Sequence, residues 1–135
     1  MPIRCFPQGF NDMADESTTF EAAKTLVRAF AAERRWEPFH TPKNLCMALA
    51  AEVGELMEHF LWLTGEESVR ALEDPARREA IADELADVAT LVLHLSTCMG
   101  IDLSGAIEKK MVKNAVKYPP PTDDGDVSPD PRRGH

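Results

Sequence analysis

The sequence predicts an all-α domain. Apolar residues recur at three- and four-residue steps in four stretches, whereas no stretch of useful length alternates between apolar and polar residues as a strand does. Two of these stretches begin with a capping residue followed by proline, which is a typical start of a helix. The 135 residues suffice for one domain with a real core. We therefore expect one helical domain rather than two.

The first two helices are predicted in the N-terminal half of the chain. The first covers about residues 19–37, and Thr18 with Glu21 forms a candidate capping box at its start. The second follows Thr41, its candidate N-cap, and covers about residues 42–63. Its apolar stripe consists of Leu45, Leu49, Val53, Leu56 and Phe60. Each helix therefore presents one apolar face to a common core.

The third and fourth helices are predicted after a polar connection at residues 66–73. The third follows Asp74 as its N-cap and ends at Gly100, a residue type that commonly ends helices. Its apolar stripe consists of Ile81, Leu85, Val88, Val92 and Leu95. The fourth covers about residues 103–118 after Asp102 and carries several lysines. It is therefore the basic element of an acidic chain.

The two ends of the chain differ from this helical segment. The three consecutive prolines of residues 119–121 exclude a helix, and the remainder is rich in Asp, Pro and Gly. We therefore expect a disordered tail at residues 119–135, a flexible arm at residues 1–17 and the helical domain at residues 18–118.

Charge and cysteine content narrow the partners and the compartment. The formal net charge of −8 argues against binding to a nucleic-acid polymer or to an anionic membrane. The first residues do not form a secretion signal, and no apolar run reaches membrane-spanning length. Cys5, Cys46 and Cys98 are far apart and form no metal or redox motif. These features predict a soluble cytoplasmic protein with reduced thiols.

The second and third helices each carry two acidic residues three positions apart. Glu52 and Glu55 lie in the second helix, and Glu84 and Asp87 lie in the third, each pair beside the apolar stripe. Packing these helices together would gather four carboxylates. Such a group is tolerated when it takes up protons or surrounds a cation, and oxygen ligands suit Mg²⁺ or Mn²⁺. The pattern therefore favours a divalent-metal site over a solvated helix face.

Several other side chains allow two interpretations. Trp36, His40 and Trp62 either seal a core or provide flat surfaces on which a nucleobase stacks. Lys110 and Asn114 share one side of the fourth helix, where they form a solvated face or contact phosphate oxygens. Composition alone favours the structural role in each case.

No arrangement for covalent catalysis is recognisable in the sequence. The Ser, Thr and Cys residues lack a His and acid partner in a known pattern, and there is no glycine-rich phosphate loop. His59 and His94 fit helix packing as well as they fit a general base. Any phosphate chemistry would therefore depend on metal ions.

Several segments of the chain form a recognisable pattern: Phe30-Ala-Ala-Glu-Arg-Arg-Trp36, Phe39-His40, Pro42-Lys43-Asn44-Leu45, Glu52-Val-Gly-Glu-Leu56, Trp62, Glu84-Leu-Ala-Asp87-Val88, Lys110-Met111, Asn114 and Tyr118-Pro119. Together they resemble the MazG-like all-α nucleotide pyrophosphohydrolases, most closely the dCTP pyrophosphatase group. These segments extend in order over most of the chain. The acidic motif alone is moderately specific, and the flanking segments make the resemblance strong.

The resemblance implies a four-helix core that associates into a homodimer or homotetramer, and hydrolysis of a nucleoside triphosphate to the monophosphate and pyrophosphate. It implies Mg²⁺, with Mn²⁺ as a substitute, bound by Glu52, Glu55, Glu84 and Asp87. Catalytic roles fall to Glu55, which would position or deprotonate the attacking water, and to Glu52 and Lys110. The implied substrate contacts are Trp36, His40, Lys43, Trp62, Lys110, Asn114 and Tyr118.

Two positions depart from the pattern of dCTP-specific relatives. Those relatives carry a histidine in the first helix and a tyrosine one turn after the aspartate, where this chain has Val27 and Leu91. Both changes remove polar groups from the implied nucleoside pocket, which weakens discrimination between bases. We expect dCTP or a 5-modified dCTP as the first substrate, followed by dTTP or dUTP.

Two alternative functions belong to other classes. A ferritin-like di-metal oxidase also builds carboxylate sites in helical bundles, but it requires Glu-x-x-His pairs that neither acidic pair provides. A non-catalytic helical interaction module would use the acids as a solvated surface or as a structural-ion site. Exchange of Glu52 for Gln separates the module from an enzyme, because only an enzyme would lose turnover.

Overall fold

A computed structural model describes residues 13–120 of the chain. These residues form five α-helices: α1 Phe20–Glu33, α2 Pro42–Glu58, α3 Gly65–Arg70, α4 Pro75–Cys98 and α5 Leu103–Lys117. Short 3-10 helices, Glu37–Phe39 and Ala71–Glu73, follow α1 and α3. No strand occurs in this part of the chain, so the predicted all-α class is confirmed.

The chain divides into two compact units. The first ends at Ile101 and contains α1 to α4, and the second begins at Asp102 and contains α5. In the first unit α4 is the central helix, because it packs along α2 and, less extensively, along α1. The four-helix bundle and the domain limits 18–118 stay predictions. Most of the predicted arm and most of the predicted tail lie outside the described residues.

The core of the first unit is small. Ala31 of α1, Leu45 of α2 and Ile81 of α4 are its buried apolar residues, and Ser96 is also buried. The Ser96 hydroxyl donates to the backbone carbonyl of Leu93 at 2.8 Å, so its burial leaves no unpaired donor. Three helices therefore meet around a few side chains, with α4 in the middle.

The predicted apolar stripes are only partly buried. Val53 of α2 is 38% exposed and Leu85 of α4 is 56% exposed, although the helical period assigns both to the core face. The period identifies which residues share a face, but it does not say whether another element covers that face. One chain therefore leaves part of its apolar surface open.

Three predicted helix boundaries are confirmed by their capping geometry. The Thr41 side chain accepts a hydrogen bond from the Asn44 amide at 3.2 Å, and Asp74 accepts one from the Ala76 amide at 3.1 Å. A proline follows each cap at the first helical position. Gly100, at a φ of 64°, ends α4 as expected.

The start of α1 differs from its prediction. Thr19 is the N-cap, since its side chain accepts from the Ala22 amide at 3.1 Å, and the expected capping box of Thr18 and Glu21 is wrong. The Thr18 hydroxyl instead accepts from the Ala14 amide at 3.2 Å, which engages it in the preceding turn. The helix also ends earlier than predicted.

The connection between α2 and α4 contains a helix that was not predicted. Helix α2 ends at Glu58 rather than at Leu63, and α3 forms where a polar connection was expected at residues 66–73. The Glu67 amide donates to Thr64 at 3.2 Å and the Thr64 amide donates to the Glu67 carboxylate at 2.7 Å, which completes a capping box. The Thr64 backbone hydrogen bond lowers the pKa of Glu67.

The described cysteines, Cys46 and Cys98, are unpaired, and Cys5 lies outside the described residues. No single helix in residues 13–120 is long and apolar enough to cross a membrane, and only the consecutive pair α4 and α5 meets those criteria together. The cytoplasmic location stays a prediction.

A left-handed residue ends α1 and directs the chain into Trp36. Arg35 has a φ of 56°, its amide donates to the Ala32 carbonyl at 3.0 Å, and the Trp36 amide donates to the Ala31 carbonyl at 3.0 Å. These two hydrogen bonds define the helix-ending motif in which glycine is usual. Gly100 plays the corresponding part at the end of α4. Arg35 therefore holds Trp36 at the cost of an unfavourable backbone conformation.

We predict that Arg35→Gly stabilises the protein by about 1 kcal/mol, because glycine adopts positive φ without steric cost. Urea unfolding followed by circular dichroism measures the change. Arg35→Ala is the matched control, since it removes the same charge but keeps the Cβ atom, and it should give no gain. Equal stabilisation by both variants would show that the arginine side chain, not the backbone, is responsible.

Candidate functional site

Three acidic side chains from α2 and α4 converge at one point. One carboxylate oxygen from each of Glu52, Glu55 and Glu84 lies within 4.8 Å of the other two. Glu52 and Glu84 are half-buried, whereas Glu55 is exposed. Because α2 contributes two of these residues and α4 one, the packing of these helices creates the cluster. We call these three residues the acidic cluster.

Asp87 lies beside the acidic cluster but is not part of it. It is exposed and follows Glu84 by one turn of α4. Burial, and then the charges of Glu55, Asp87 and Glu84, raise the pKa of Glu52 above its ordinary value. Within residues 13–101 the ion pairs involve other residues, so no lysine or arginine of the first unit forms an ion pair with these four acids. Protons or a cation are therefore needed to relieve their repulsion.

The acidic cluster fits a hard divalent cation. Carboxylate oxygens are the ligands that such ions prefer, and around an octahedral Mg²⁺ neighbouring ligands lie about 3 Å apart and opposite ligands about 4 Å apart. Since the three oxygens already lie within 4.8 Å of one another, side-chain rotations can bring them to these spacings. The exposure of Glu55 leaves room for further ligands, such as water or a phosphate group.

A cavity of about 310 Å³ opens beside the acids. Glu52 and Asp87 form its acidic end. Its other lining residues are Phe30, Trp36, His40, Ala48, Thr90, Leu91 and His94. We call this space the aromatic cavity. A ligand within it would meet carboxylates at one end and ring systems along the wall.

The two departures from the dCTP-specific pattern both lie next to this space. Leu91 lines the aromatic cavity. Val27 lines an adjoining space of about 240 Å³, which shares Phe30, Asp87 and Thr90 with the aromatic cavity. The polar groups that these positions lack would therefore have faced the region beside the acids.

The aromatic wall consists of four rings in sequence. The centroids of Phe30 and Trp36 are 5.7 Å apart, and those of Trp36 and His40 are 6.2 Å apart. The rings of His40 and His94 follow at 4.7 Å, with an interplanar angle of 70°. All three contacts have edge-to-face geometry, which aromatic pairs favour. The wall therefore links α1, the loop after it and α4.

The structure brings some of the predicted site residues together, and it separates Trp62 from the cavity. Lys43 is exposed in the first turn of α2. Trp62 follows α2, is 92% exposed and does not line the aromatic cavity. The prediction that the second helix extends to about residue 63, and so includes Trp62, was wrong, because α2 ends before it. Lys110 and Asn114 lie on α5 and Tyr118 is its C-cap, all in the second unit.

Four residues of the cavity wall were not predicted as site residues from the sequence: Phe30, Ala48, Thr90 and His94. Phe30 is 37% exposed and lines the cavity. Thr90 and His94 follow Asp87 at three and seven positions, which places them on the face of the acidic residue. Because the spacing places both residues on the face of Asp87, they could have been included in the predicted site if the substrate had been assumed to lie along this helix.

Fold and site together define an all-α protein with an acidic, metal-type centre between two helices. The chain belongs to the MazG-like family, which its residues 47–127 match. The resemblance inferred from the sequence is therefore confirmed.

Curated relatives of this chain include dCTP pyrophosphatase 1 of Rattus norvegicus and of Homo sapiens. The chain is 42% identical to the rat protein and 43% identical to the human protein, over 101 residues in each case. The match covers 75% of this chain and 59% of each relative. The chain thus spans less than two thirds of the length of these proteins.

A solved structure is also similar. The crystal structure of a pyrophosphatase from Archaeoglobus fulgidus superposes with a TM-score of 0.71 at 34% sequence identity. The match covers 81% of this chain and 100% of the archaeal chain. The helical fold is therefore shared by a protein that is itself described as a pyrophosphatase.

We predict that Glu52→Gln raises the Tm of the metal-free protein at neutral pH by a few °C. This is the order of magnitude expected when one repelling surface charge is removed. The folded-state pKa of Glu52 is raised, so the repulsion is fully present above that pKa. It disappears below the pKa of the unfolded chain, where Glu52 is protonated in both states. The gain should therefore shrink as the pH falls towards 4, and differential scanning fluorimetry measures it.

The same variant should lose most of the Tm increase that Mg²⁺ gives the unchanged protein, because a ligand is removed. Glu58→Gln is the control: Glu58 is an exposed acid of α2 outside the acidic cluster, and its exchange should leave both effects as they are. A Glu52→Gln protein that responds to Mg²⁺ like the unchanged chain would contradict the metal site.

Proposed function

We propose that this chain hydrolyses a pyrimidine deoxynucleoside triphosphate between the α and β phosphates, releasing the monophosphate and pyrophosphate. The observation that carries the proposal is that the acidic cluster and the aromatic cavity are continuous with each other. Glu52 belongs both to the acidic cluster and to the wall of the aromatic cavity. A nucleotide whose base occupies the cavity therefore has its phosphates at the carboxylates.

The names of the relatives support the reaction and suggest the base. The curated relatives are named as dCTP pyrophosphatases, and the solved neighbour is described as a pyrophosphatase. We propose dCTP or a 5-modified dCTP as the preferred substrate, with dTTP or dUTP as the second candidate. Removal of such nucleotides from the precursor pool is the corresponding cellular role.

The acidic residues are proposed to hold Mg²⁺, or Mn²⁺ in its place. Glu52, Glu55 and Glu84 supply three carboxylates, and Asp87 is close enough to raise the pKa of Glu52. A divalent ion held by these residues would offset part of the negative charge of the triphosphate and would make a water at the site more acidic. Glu55, as the exposed member of the cluster, is proposed to orient that water and to accept its proton.

The remaining residues are proposed to hold the substrate. Trp36 and His40 offer ring faces and edges to the base within the aromatic cavity. Phosphate contacts are assigned to cationic and amide side chains that attract anionic oxygens. The proposed phosphate contacts are Lys43, Lys110 and Asn114, and Tyr118 is the ring residue proposed nearby.

We predict that Asp87→Asn and Glu52→Gln lower pyrophosphate release by at least 100-fold while the proteins stay helical, because each removes a carboxylate without emptying the core. Pyrophosphate release from a panel of nucleoside triphosphates, with Mg²⁺ and with EDTA, is the measurement. Release should require Mg²⁺, and Glu58→Gln should match the unchanged protein. No release from any triphosphate would favour the non-catalytic interaction module.

The proposal includes self-association through α2. The core face of α2 packs on α4, yet its opposite face is also apolar or small: Met47, Ala50, Ala51, Gly54 and Met57. Met47 is 64% and Met57 is 54% exposed. A side chain at Gly54 would meet nothing within 4 Å, so a second helix can approach closely there. A helix that is apolar on both sides is typically covered on both sides.

A second copy of the chain is the proposed partner for this exposed face of α2. The face carries no charge between Met47 and Met57, so an identical face can pack against it without repulsion. The exposed Trp62 follows the same helix and adds apolar surface near its end. A homodimer, or a homotetramer built from two such dimers, is the resulting assembly.

We predict that Met57→Asp shifts the protein towards the 15.0 kDa monomer, because it places two charges opposite each other in the proposed interface. Sedimentation velocity measures the mass. Val69→Asp is the matched control, since Val69 is an exposed apolar residue of α3, at 67%, and lies off this face. An unchanged protein that already sediments as a monomer would refute the assembly.

A further inference from the structure

His94 lines the aromatic cavity away from the acids of α4. It lies on α4, seven residues after Asp87, which is about 10 Å along the helix. Its half-buried ring contacts His40 at a centroid distance of 4.7 Å. The acidic end and the histidine end of the cavity are therefore separated by two helical turns, with Thr90 between them.

The hydrogen-bonding capacity of the His94 ring is unused in the described part of the chain. Within residues 13–120 neither of its nitrogen atoms takes part in a hydrogen bond. The Cys98 thiol, which is nearby, donates to the backbone carbonyl of His40 at 3.2 Å rather than to a ring. Burial, and then the charge of His40, lower the pKa of His94. A neutral imidazole offers one donor and one acceptor.

Few side chains of the cavity wall besides His94 could form hydrogen bonds with the edge of a base. Leu91, Ala48 and Phe30 are apolar, and the acids lie at the opposite end. A pyrimidine edge that is buried without a partner loses the hydrogen bonds that it made to water. Apart from the acids, the polar side chains of the cavity are Thr90, His40, His94 and the indole of Trp36. His94 is the one two turns beyond Asp87 on α4.

We propose that His94 recognises the Watson–Crick edge of a pyrimidine base in the aromatic cavity. This inference rests on the proposed hydrolase function and deepens it by naming the residue that recognises the base. A neutral imidazole presents a donor or an acceptor according to its tautomer. The ring nitrogen that faces the base can therefore donate to N3 or accept from the amino group of cytosine, or it can accept from the N3 proton or donate to O4 of thymine and uracil. The site accepts pyrimidine nucleotides of both kinds.

The test compares kcat/KM for dTTP with kcat/KM for its 2,4-difluorotoluene analogue, which has the shape of thymine without its hydrogen-bonding edge. The unchanged protein should prefer dTTP by at least 10-fold. His94→Leu, which keeps an apolar side chain in the wall, should lower kcat/KM for dTTP and dCTP by about 10- to 100-fold. The same variant should change kcat/KM for the analogue by less than 3-fold, so the preference for dTTP over the analogue should be lost.

Two further variants separate recognition from packing. His94→Gln retains a donor and an acceptor and should keep a measurable preference for dTTP. Thr97→Val is the matched control on the same helix: Thr97 lines the neighbouring 390 Å³ cavity but not the aromatic cavity, and its exchange should leave the preference unchanged. Circular dichroism checks folding, and His94→Ala replaces the leucine variant if that protein unfolds.

These measurements distinguish failure of the inference about His94 from failure of the proposed hydrolase function. Absence of pyrophosphate release from every triphosphate by the unchanged protein would overturn the hydrolase itself. An active protein that hydrolyses dTTP and the analogue equally well would overturn base recognition through hydrogen bonds. Equal losses for both substrates in His94→Leu would assign His94 to packing and would also overturn the inference.

Discussion

The contact between α2 and α4 determines both the fold of the first unit and its chemistry. Leu45 and Ile81 are buried where these helices pack, and the same packing brings Glu52 and Glu84 together without an ion pair to a lysine or arginine of residues 13–101. Apolar burial thus works against carboxylate repulsion. A cation bound by the acids would remove that repulsion and stabilise the folded state in proportion to its affinity. Metal binding and folding are therefore linked through one helix pair.

Features that depend on a few adjacent residues could be predicted from the sequence. The caps Thr41 and Asp74 and the helix end at Gly100 are local, so their residue types suffice. The acidic pairs could be found because three-residue spacing fixes a shared face. Helix α3 was missed because Thr64 marks the end of one helical segment and also caps the next. The same ambiguity misplaced Trp62, which lies beyond α2.

Features that depend on tertiary contacts could not be predicted in the same way. The positive φ of Arg35 has no signal in its residue type, since glycine is usual there, yet it leads the chain into Trp36. The spacing of His94 from Asp87 indicates a shared helix face, but its place in the cavity depends on the loop after α1 lying against α4. The exposure of Leu85, at 56%, likewise depends on which elements cover α4. Periodicity defines faces, whereas contacts decide their roles.

Helix α2 joins these observations, because the proposals assign each of its sides a different task. One side packs on α4 through Leu45, and another carries Glu52 and Glu55 towards the acidic cluster. The third, which includes Gly54, is the proposed contact with a second copy. A rigid helix cannot rotate one side without rotating the others. Association on the exposed side would therefore fix the rotation of α2 and hold the two carboxylates in the geometry that a cation requires.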